Sequence, residues 1–134
     1  MLIEDRDLDR VGIEAIDRQH RAIAALVNEL HRAMEEGRGR EALKKILEDL
    51  IDTTRAHFAY EEKLMADFHY PGIIRHKNEH RRLLRHIIEL HRRFVEGELL
   101  LSFAILLDLH AWATRHIAKS DKSLGEFLIR KGVR

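Results

Sequence analysis

The sequence contains no cysteine and a single proline among its 134 residues. The lack of cysteine excludes disulfides, thiolate metal sites and iron–sulfur clusters. The scarcity of proline, together with many Leu, Ile, Ala, Glu, Arg and Lys residues, favours helices. No segment alternates apolar and polar residues over a length that would indicate a strand. These features predict an all-α fold.

An excess of one charge and long apolar runs are also missing. The net charge of +1 comes from 24 basic and 23 acidic residues, which gives no electrostatic footprint for nucleic acid. The longest apolar run, Leu99 to Leu107, includes Ser102 and is far shorter than the ~18 residues that indicate a membrane span. Residues 1–5, which include the acidic Glu4 and Asp5, lack the apolar stretch of a secretory signal. We therefore expect a cytoplasmic protein with neither nucleic acid nor a membrane as partner.

Four stretches of the chain carry apolar residues at the three- and four-residue spacing of an amphipathic helix. They span about Asp17 to Glu36, Arg40 to Ala66, Ile73 to Val95 and Leu99 to Lys119. The connections between them are short, and short connections join antiparallel neighbours. The pattern predicts one domain, residues 1–134, folded as an up-down-up-down four-helix bundle with a short N-terminal arm and a C-terminal tail.

Seven side chains of the types that bind metals fall on the apolar stripes of these helices or at their ends. They are His20, His57, Glu61, His76, His80, His116 and Asp121. Burying an unpaired polar group costs ~2–7 kcal/mol. A core that contains all seven therefore needs a compensating charge, which a metal centre supplies.

The number and spacing of these side chains indicate two metal ions. His57 and Glu61 are four residues apart and share a helix face, as do His76 and His80. Seven protein ligands are too many for one ion, and bridging carboxylates favour a pair of cations. If Glu61 and Asp121 lie between two six-coordinate ions, five histidines and a bridging oxygen leave one position vacant. A small ligand would bind at that vacancy.

The spacing of His116 and Asp121 is less regular. They are five residues apart, which turns Asp121 away from the face of His116 unless the helix ends or loosens between them. The polar run Lys119 to Lys122 is consistent with such an ending.

Several short segments form a series of motifs along the chain. They are Val11-Gly12-Ile13 to Ile16-Asp17-Arg18-Gln19-His20, His57-Phe58-Ala59-Tyr60-Glu61-Glu62, Pro71-Gly72, His76-Lys77-Asn78-Glu79-His80, Trp112, and His116-Ile117 to Asp121. The series resembles, in order, the signature of the hemerythrin family, and it is most similar to the single-domain bacterial members. The resemblance covers about Val11 to Val133.

The resemblance implies a non-haem diiron centre that binds O2 reversibly. Three histidines would hold the saturated iron: His76, His80 and His116. His20 and His57 would hold the second iron, which keeps the open position. The two carboxylates named above would bridge the irons together with an oxo or hydroxo group.

The ligand types favour an O2 carrier over an enzyme. Two Fe(II) ions carry about +4 against about −3 from two carboxylates and a hydroxide, and an uncancelled positive charge disfavours high oxidation states. The Glu-x-x-His pairs of carboxylate-rich diiron enzymes are absent from the chain. We expect O2 storage or delivery, or sensing with a separate partner. The alternatives are a diiron enzyme acting on peroxide, nitric oxide or O2, and a metal-storage or structural site.

The segment from His76 to His80 also matches H-x-x-E-H, a zinc-peptidase pattern in which the Glu acts as a base. That interpretation leaves His20, His57 and both bridging carboxylates without a role. We therefore expect Glu79 to lie off the core stripe as a solvated residue.

Four apolar residues of the predicted fourth helix can each be interpreted in two ways. Trp112, one turn before His116, is a core side chain, a wall of the O2 pocket, or both. Leu100, Phe103 and Leu107 lie on a second face of the helix, where packing against the N-terminal arm or the tail is favoured over a dimer or partner surface. We expect a monomer or a weak oligomer.

Overall fold

The computed structural model describes residues 10–98 and 100–134 of the chain. These residues form helices and connecting turns, and they include no strand. The helices are α1 (Glu14–Glu35), α2 (Arg40–Asp67), α3 (Ile73–Val95), α4 (Phe103–His116) and α5 (Lys122–Arg130), with a π-helical segment (Ile117–Asp121) that joins α4 to α5. Short turns connect α1 to α2 and α2 to α3, and α4 packs against α1, which confirms the predicted four-helix bundle.

The first helix begins earlier than the sequence pattern indicated. It starts at Glu14 rather than Asp17, and the Asp17 carboxylate lies inside its first turn. There the carboxylate accepts hydrogen bonds from the backbone N–H groups of Val11 (2.8 Å) and Gly12 (3.2 Å). Asp17 therefore ties the segment that precedes α1 to the helix itself.

The fourth helix begins later than predicted and continues further. It starts after Ser102, whose hydroxyl accepts a hydrogen bond from the backbone N–H of Ile105, an arrangement that caps the helix. Leu99, the predicted first residue, and the arm at residues 1–9 lie outside the described residues. The predicted tail is helical, because the π-helical segment carries the chain from α4 into α5 without a break.

Two apolar clusters lie on either side of a polar layer. The larger cluster draws on α1 to α4 and includes Leu30, Leu47, Leu50, Ile87, Leu90, Leu106 and Leu109. The smaller cluster contains Val11, Ile13, Ile16, Met65, Leu124 and Leu128. In α1, His20 falls between Ile16 of the smaller cluster and Ala24 of the larger one. The metal-type side chains of α2 and of the α4–α5 region are placed in the same way, so they form a layer across the bundle.

The second face of α4 is open to solvent. Leu100, which precedes α4, is 77% exposed, and Phe103 and Leu107 are 51% and 56% exposed, so the tail does not cover them as expected. Packing against the arm involves residues 1–9, which lie outside the described residues. The rings of Phe103 and of His31 in α1 meet edge to face at a centroid distance of 5.4 Å. Within the described part of the chain, no helix has both the length and the apolar character required to cross a bilayer.

Candidate metal centre

The structure brings all seven predicted side chains into one buried cluster. Their ligand atoms form two overlapping groups, within each of which the atoms lie within 4.8 Å of one another. One group consists of Glu61, His76, His80, His116 and Asp121; the other consists of His20, His57, Glu61 and Asp121. We call the histidines of the first group the three-histidine set and those of the second the two-histidine set. The two carboxylates belong to both groups.

Glu61 places one oxygen against each set. Its Oε1 lies 3.2 Å from Nε2 of His76 and 2.9 Å from Nε2 of His80. Its Oε2 lies 3.5 Å from Nε2 of His57. The carboxylate is fully buried, because Glu61 shows no exposed surface. Glu61 therefore stands between the two sets.

Asp121 divides its oxygens in the same way. Its Oδ1 lies 3.1 Å from Nε2 of His76 and 3.0 Å from Nε2 of His116. Its Oδ2 lies 2.8 Å from Nε2 of His20 and 4.0 Å from Nε2 of His57. Like Glu61, Asp121 has no exposed surface. Both carboxylates thus have the arrangement that a pair of shared ligands requires.

The π-helical segment explains how Asp121 reaches His116. In an α-helix, residues five apart point in different directions, whereas a π-helix pairs residues i and i+5. The backbone from Ile117 to Asp121 takes this wider form, and the two side chains meet at 3.0 Å. The predicted loosening between these residues is therefore present, but as a wider helical turn rather than a helix end.

Two histidines of the cluster are held by hydrogen bonds from their outer ring nitrogens. Nδ1 of His57 lies 2.6 Å from Oε1 of Gln19, and Nδ1 of His80 lies 2.9 Å from Oε2 of Glu62. Since both partners offer oxygen acceptors, each Nδ1 carries the hydrogen and donates it. The Nε2 atoms of both rings then point their lone pairs into the cluster. Such outer contacts orient histidine ligands in metal sites.

Glu79 orients a third histidine, a role that was not predicted for this partly exposed residue. Its Oε1 accepts from Nδ1 of His116 (3.3 Å), and both of its oxygens accept from the Ser120 hydroxyl (2.7 and 2.8 Å). Although partial burial opposes ionisation, the contacts with Ser120 and His116 lower the pKa of Glu79. The ionised carboxylate therefore fixes the ring of His116 from outside.

Sequence reasoning missed these outer partners although each one adjoins a metal-type residue. Gln19 precedes His20, Glu62 follows Glu61, and Glu79 precedes His80. Each supports a histidine on another helix rather than its own neighbour in the chain. The position of a polar residue beside a metal-type residue could have suggested such a supporting role. The sequence does not show, however, which histidine on another helix the residue would contact.

Several inward-facing atoms of the cluster lack a hydrogen-bond partner, although His20 is hydrogen-bonded to Asp121 and His76 to Glu61. Nε2 of His80 and of His116, Oε2 of Glu61 and Oδ1 of Asp121 are all buried and lack a hydrogen-bond partner among the described residues. Buried polar atoms are rarely left unpaired. A ring nitrogen lone pair at 2.9–3.0 Å from a carboxylate oxygen is unfavourable unless a proton or a metal ion shared by the two atoms compensates it. The donor set therefore fits a metal ion.

The pKa shifts show where a proton replaces that cation in the metal-free chain. Burial opposes the charged form of His76, but its contacts with Asp121 and Glu61 raise its pKa to about 10. Burial lowers the pKa of His57 to about 4. Asp121 is buried as well, yet its contacts with His116, His20 and His76 lower its pKa well below the ordinary value. Negative charge thus persists at the centre, and protonated imidazole compensates it.

A cavity of about 50 Å³ adjoins the two-histidine set. Both histidines of the two-histidine set, His20 and His57, line it, whereas His116 is the one member of the three-histidine set that does. Most of the remaining wall is apolar, and the half-buried Trp112 forms part of it. A space of this size holds a molecule of a few atoms but no bulky substrate.

Phe58 closes the centre on the side of the three-histidine set. Its ring stacks on His80 at a centroid distance of 3.8 Å and an interplanar angle of 7°. The side chain is buried and also lines the cavity. Because Phe58 directly follows His57, it falls off the stripe that the sequence pattern traced.

Comparisons with known proteins agree with this geometry. The family profile described as Hemerythrin HHE cation binding domain matches residues 11–128. A bacteriohemerythrin of Stenotrophomonas maltophilia (strain R551-3) is 33% identical over 126 residues, which cover 94% of this chain and 80% of that protein. A bacteriohemerythrin of Pseudomonas aeruginosa (strain LESB58) is 39% identical over 97 residues, 72% of this chain and 62% of that protein. A crystal structure of wild-type hemerythrin aligns with a TM-score of 0.86 and 30% identity, over 96% of this chain and 97% of that one.

Proposed function

The chain belongs to the hemerythrin family, and from this premise we propose that it binds O2 reversibly at a non-haem diiron centre. The protein would act in storage or delivery of O2, or in sensing with a separate partner. We propose further that residues 1–134 constitute one hemerythrin-like domain. An enzymatic activity on peroxide, nitric oxide or O2 at the same centre is the alternative.

The divided carboxylates are the observation that carries this proposal. Glu61 and Asp121 each turn one oxygen to the three-histidine set and the other to the two-histidine set. This arrangement supports their assignment as bridges between two irons, with an oxo or hydroxo group as a third bridge. The three-histidine set would then complete one iron.

Because the second set has one histidine fewer, an iron held there would keep an open position. His20 and His57 would hold this iron, and the cavity lies on their side of the cluster. When loaded, the iron pair would supply the electrons that make O2 binding favourable. The chain's own contribution is a small, mostly apolar space beside it, in which Trp112 forms one wall.

The surroundings of the cavity favour a carrier over a hydrolytic or oxidative enzyme. Its volume of about 50 Å³ admits a diatomic molecule and leaves no room for an organic substrate. An apolar wall also keeps water and protons away from the irons, which slows oxidation of the centre. A zinc-peptidase activity is disfavoured because Glu79 accepts hydrogen bonds from His116 and Ser120 and does not face the cavity.

Metal content and an optical spectrum recorded before and after exposure to air test the proposal. We expect two irons per chain and a visible charge-transfer band that appears with O2 and disappears under vacuum. One metal per chain, or a metal centre whose spectrum does not respond to O2, would contradict it. Rapid bleaching with substrate-dependent turnover would instead support the enzyme.

A further inference from the structure

Thr54 carries a buried hydroxyl without a partner. The residue is 3% exposed, and its Oγ1 makes no hydrogen bond to any described residue. A helical threonine ordinarily returns its hydroxyl to a carbonyl three or four residues earlier. Thr114 does so, with the carbonyls of His110 and Ala111 at 3.0 and 3.2 Å. Thr54 leaves that option unused, so its O–H is available to another acceptor.

Thr54 lines the cavity beside the two-histidine set. Thr54 precedes His57 by three residues in α2, which puts both side chains on one face of the helix, one turn apart. The ring of His57 in turn meets that of His20 at a centroid distance of 4.7 Å. Among the described residues that line this cavity, Thr54 has the one hydroxyl. An O–H donor therefore lies at the same small space as the open side of the centre.

We propose that the Thr54 hydroxyl donates a hydrogen bond to the small molecule that occupies this cavity. The ligands it would retain are molecules of two or three atoms whose outer atom carries negative charge, such as azide, or O2 once charge has moved onto it. Hydrogen bonds to charged acceptors are the stronger kind, and a dry surrounding strengthens them further. For O2 the inference rests on the proposed function; for azide it does not.

A set of three variants isolates the hydroxyl from the shape of the side chain. Thr54→Val has nearly the same shape and no hydroxyl, while Thr54→Ser keeps the hydroxyl. Thr53→Val is the matched control, because Thr53 neighbours Thr54 in α2 but lies outside the cavity lining. The probe is azide, titrated into the oxidised, iron-loaded protein. We expect Thr54→Val to weaken azide binding about tenfold and the other two variants to stay within about twofold of the wild type.

A second measurement needs no metal. In the metal-free protein, Thr54→Val removes an unpaired buried O–H and should raise the melting temperature, since replacing an unsatisfied polar group by an apolar one of the same shape is stabilising. A lower melting temperature for this variant would show that the hydroxyl already has a partner within the fold. That result would overturn the inference.

The azide titration separates this inference from the proposed function. Equal azide affinity in Thr54→Val and the wild type would refute the hydrogen bond, and so would an equal loss in Thr53→Val. If the wild type failed to bind O2 while Thr54→Val still lost azide affinity, the proposed function would be refuted, and the hydrogen bond from Thr54 to a small anion would be supported. If the wild type binds O2, we expect Thr54→Val to release it about tenfold faster.

Discussion

Replacing Gly125 by alanine should destabilise the fold, although the same change in most helices does the opposite. Gly125 is buried in α5, where the helix passes close to the segment that precedes α1. A Cβ atom at this position would lie 2.5 Å from the carbonyl oxygen of Val11 and 2.9 Å from the Val11 Cβ. The backbone of Val11 is held in turn by the Asp17 carboxylate at 2.8 Å, so it cannot move aside freely.

The magnitude follows from two opposing terms. Alanine gains about 1 kcal/mol over glycine in a helix interior. Inserting a carbon into a filled space costs typically about 1–3 kcal/mol and occasionally more. Here the obstructing atom is backbone rather than the end of a flexible side chain, so we take the upper end of that range. The net loss should be about 2 kcal/mol, or a fall in melting temperature of about 6–8 °C for a chain of this size.

Thermal and urea unfolding of the metal-free Gly125→Ala protein, followed by circular dichroism, measure this loss. The matched control is Ser123→Ala in the same helix, because Ser123 is exposed and should gain a few tenths of a kcal/mol from helix propensity alone. If Gly125→Ala proved as stable as the wild type, or more so, the contact between α5 and Val11 could not be as close as the structure places it.

Three further predictions concern the metal centre. The metal-free protein should be most stable near pH 6.5. The raised pKa of His76 adds stability that is fully present below pH 6.5 and is lost as the pH rises through about 10. The lowered pKa of His57 adds stability that is present above pH 6.5 and is lost as the pH falls through about 4. Urea midpoints across this range check it, and a midpoint that changes in one direction only would contradict it. Glu61→Ala should abolish the two-iron site while the exposed His69→Ala retains two irons per chain; metal analysis showing two irons in both would refute the bridge. Glu79→Ala should weaken iron binding about 10–100-fold by releasing the ring of His116, and unchanged affinity in a chelator competition would show that this contact is dispensable.

The helices and the composition of the metal centre could be predicted because both depend on local periodicity. Apolar residues three and four apart defined the buried face of each helix. In α2, the four-residue spacing of His57 and Glu61 indicated that both face the metal centre. The start of α1 was placed three residues late, at Asp17 rather than Glu14, because apolar spacing alone does not fix a helix end. In the structure the Asp17 carboxylate reaches backward to Val11 and Gly12 from within the first turn.

What could not be predicted depends on contacts between helices. No local pattern shows that Gln19 in α1 supports His57 in α2, or that Glu79 in α3 supports His116 at the end of α4. The stacking of Phe58 on His80 is of the same kind, since it joins α2 to α3. These pairs become visible only when the packing of the bundle is known.

The π-helical turn at Ile117–Asp121 determines the rotation of α5 about its own axis, because α5 continues directly from it. One extra residue in a turn advances an α-helix by about 100°. The same insertion that swings Asp121 into the metal layer therefore also decides which side of α5 meets Val11, and puts Gly125 at the close contact. Deleting one residue from the turn would move the carboxylate out of the layer and present a different face of α5 to the segment before α1. The number of residues in the π-helical turn therefore determines both the position of Asp121 in the metal centre and the face of α5 that packs against Val11, so a change in one also changes the other.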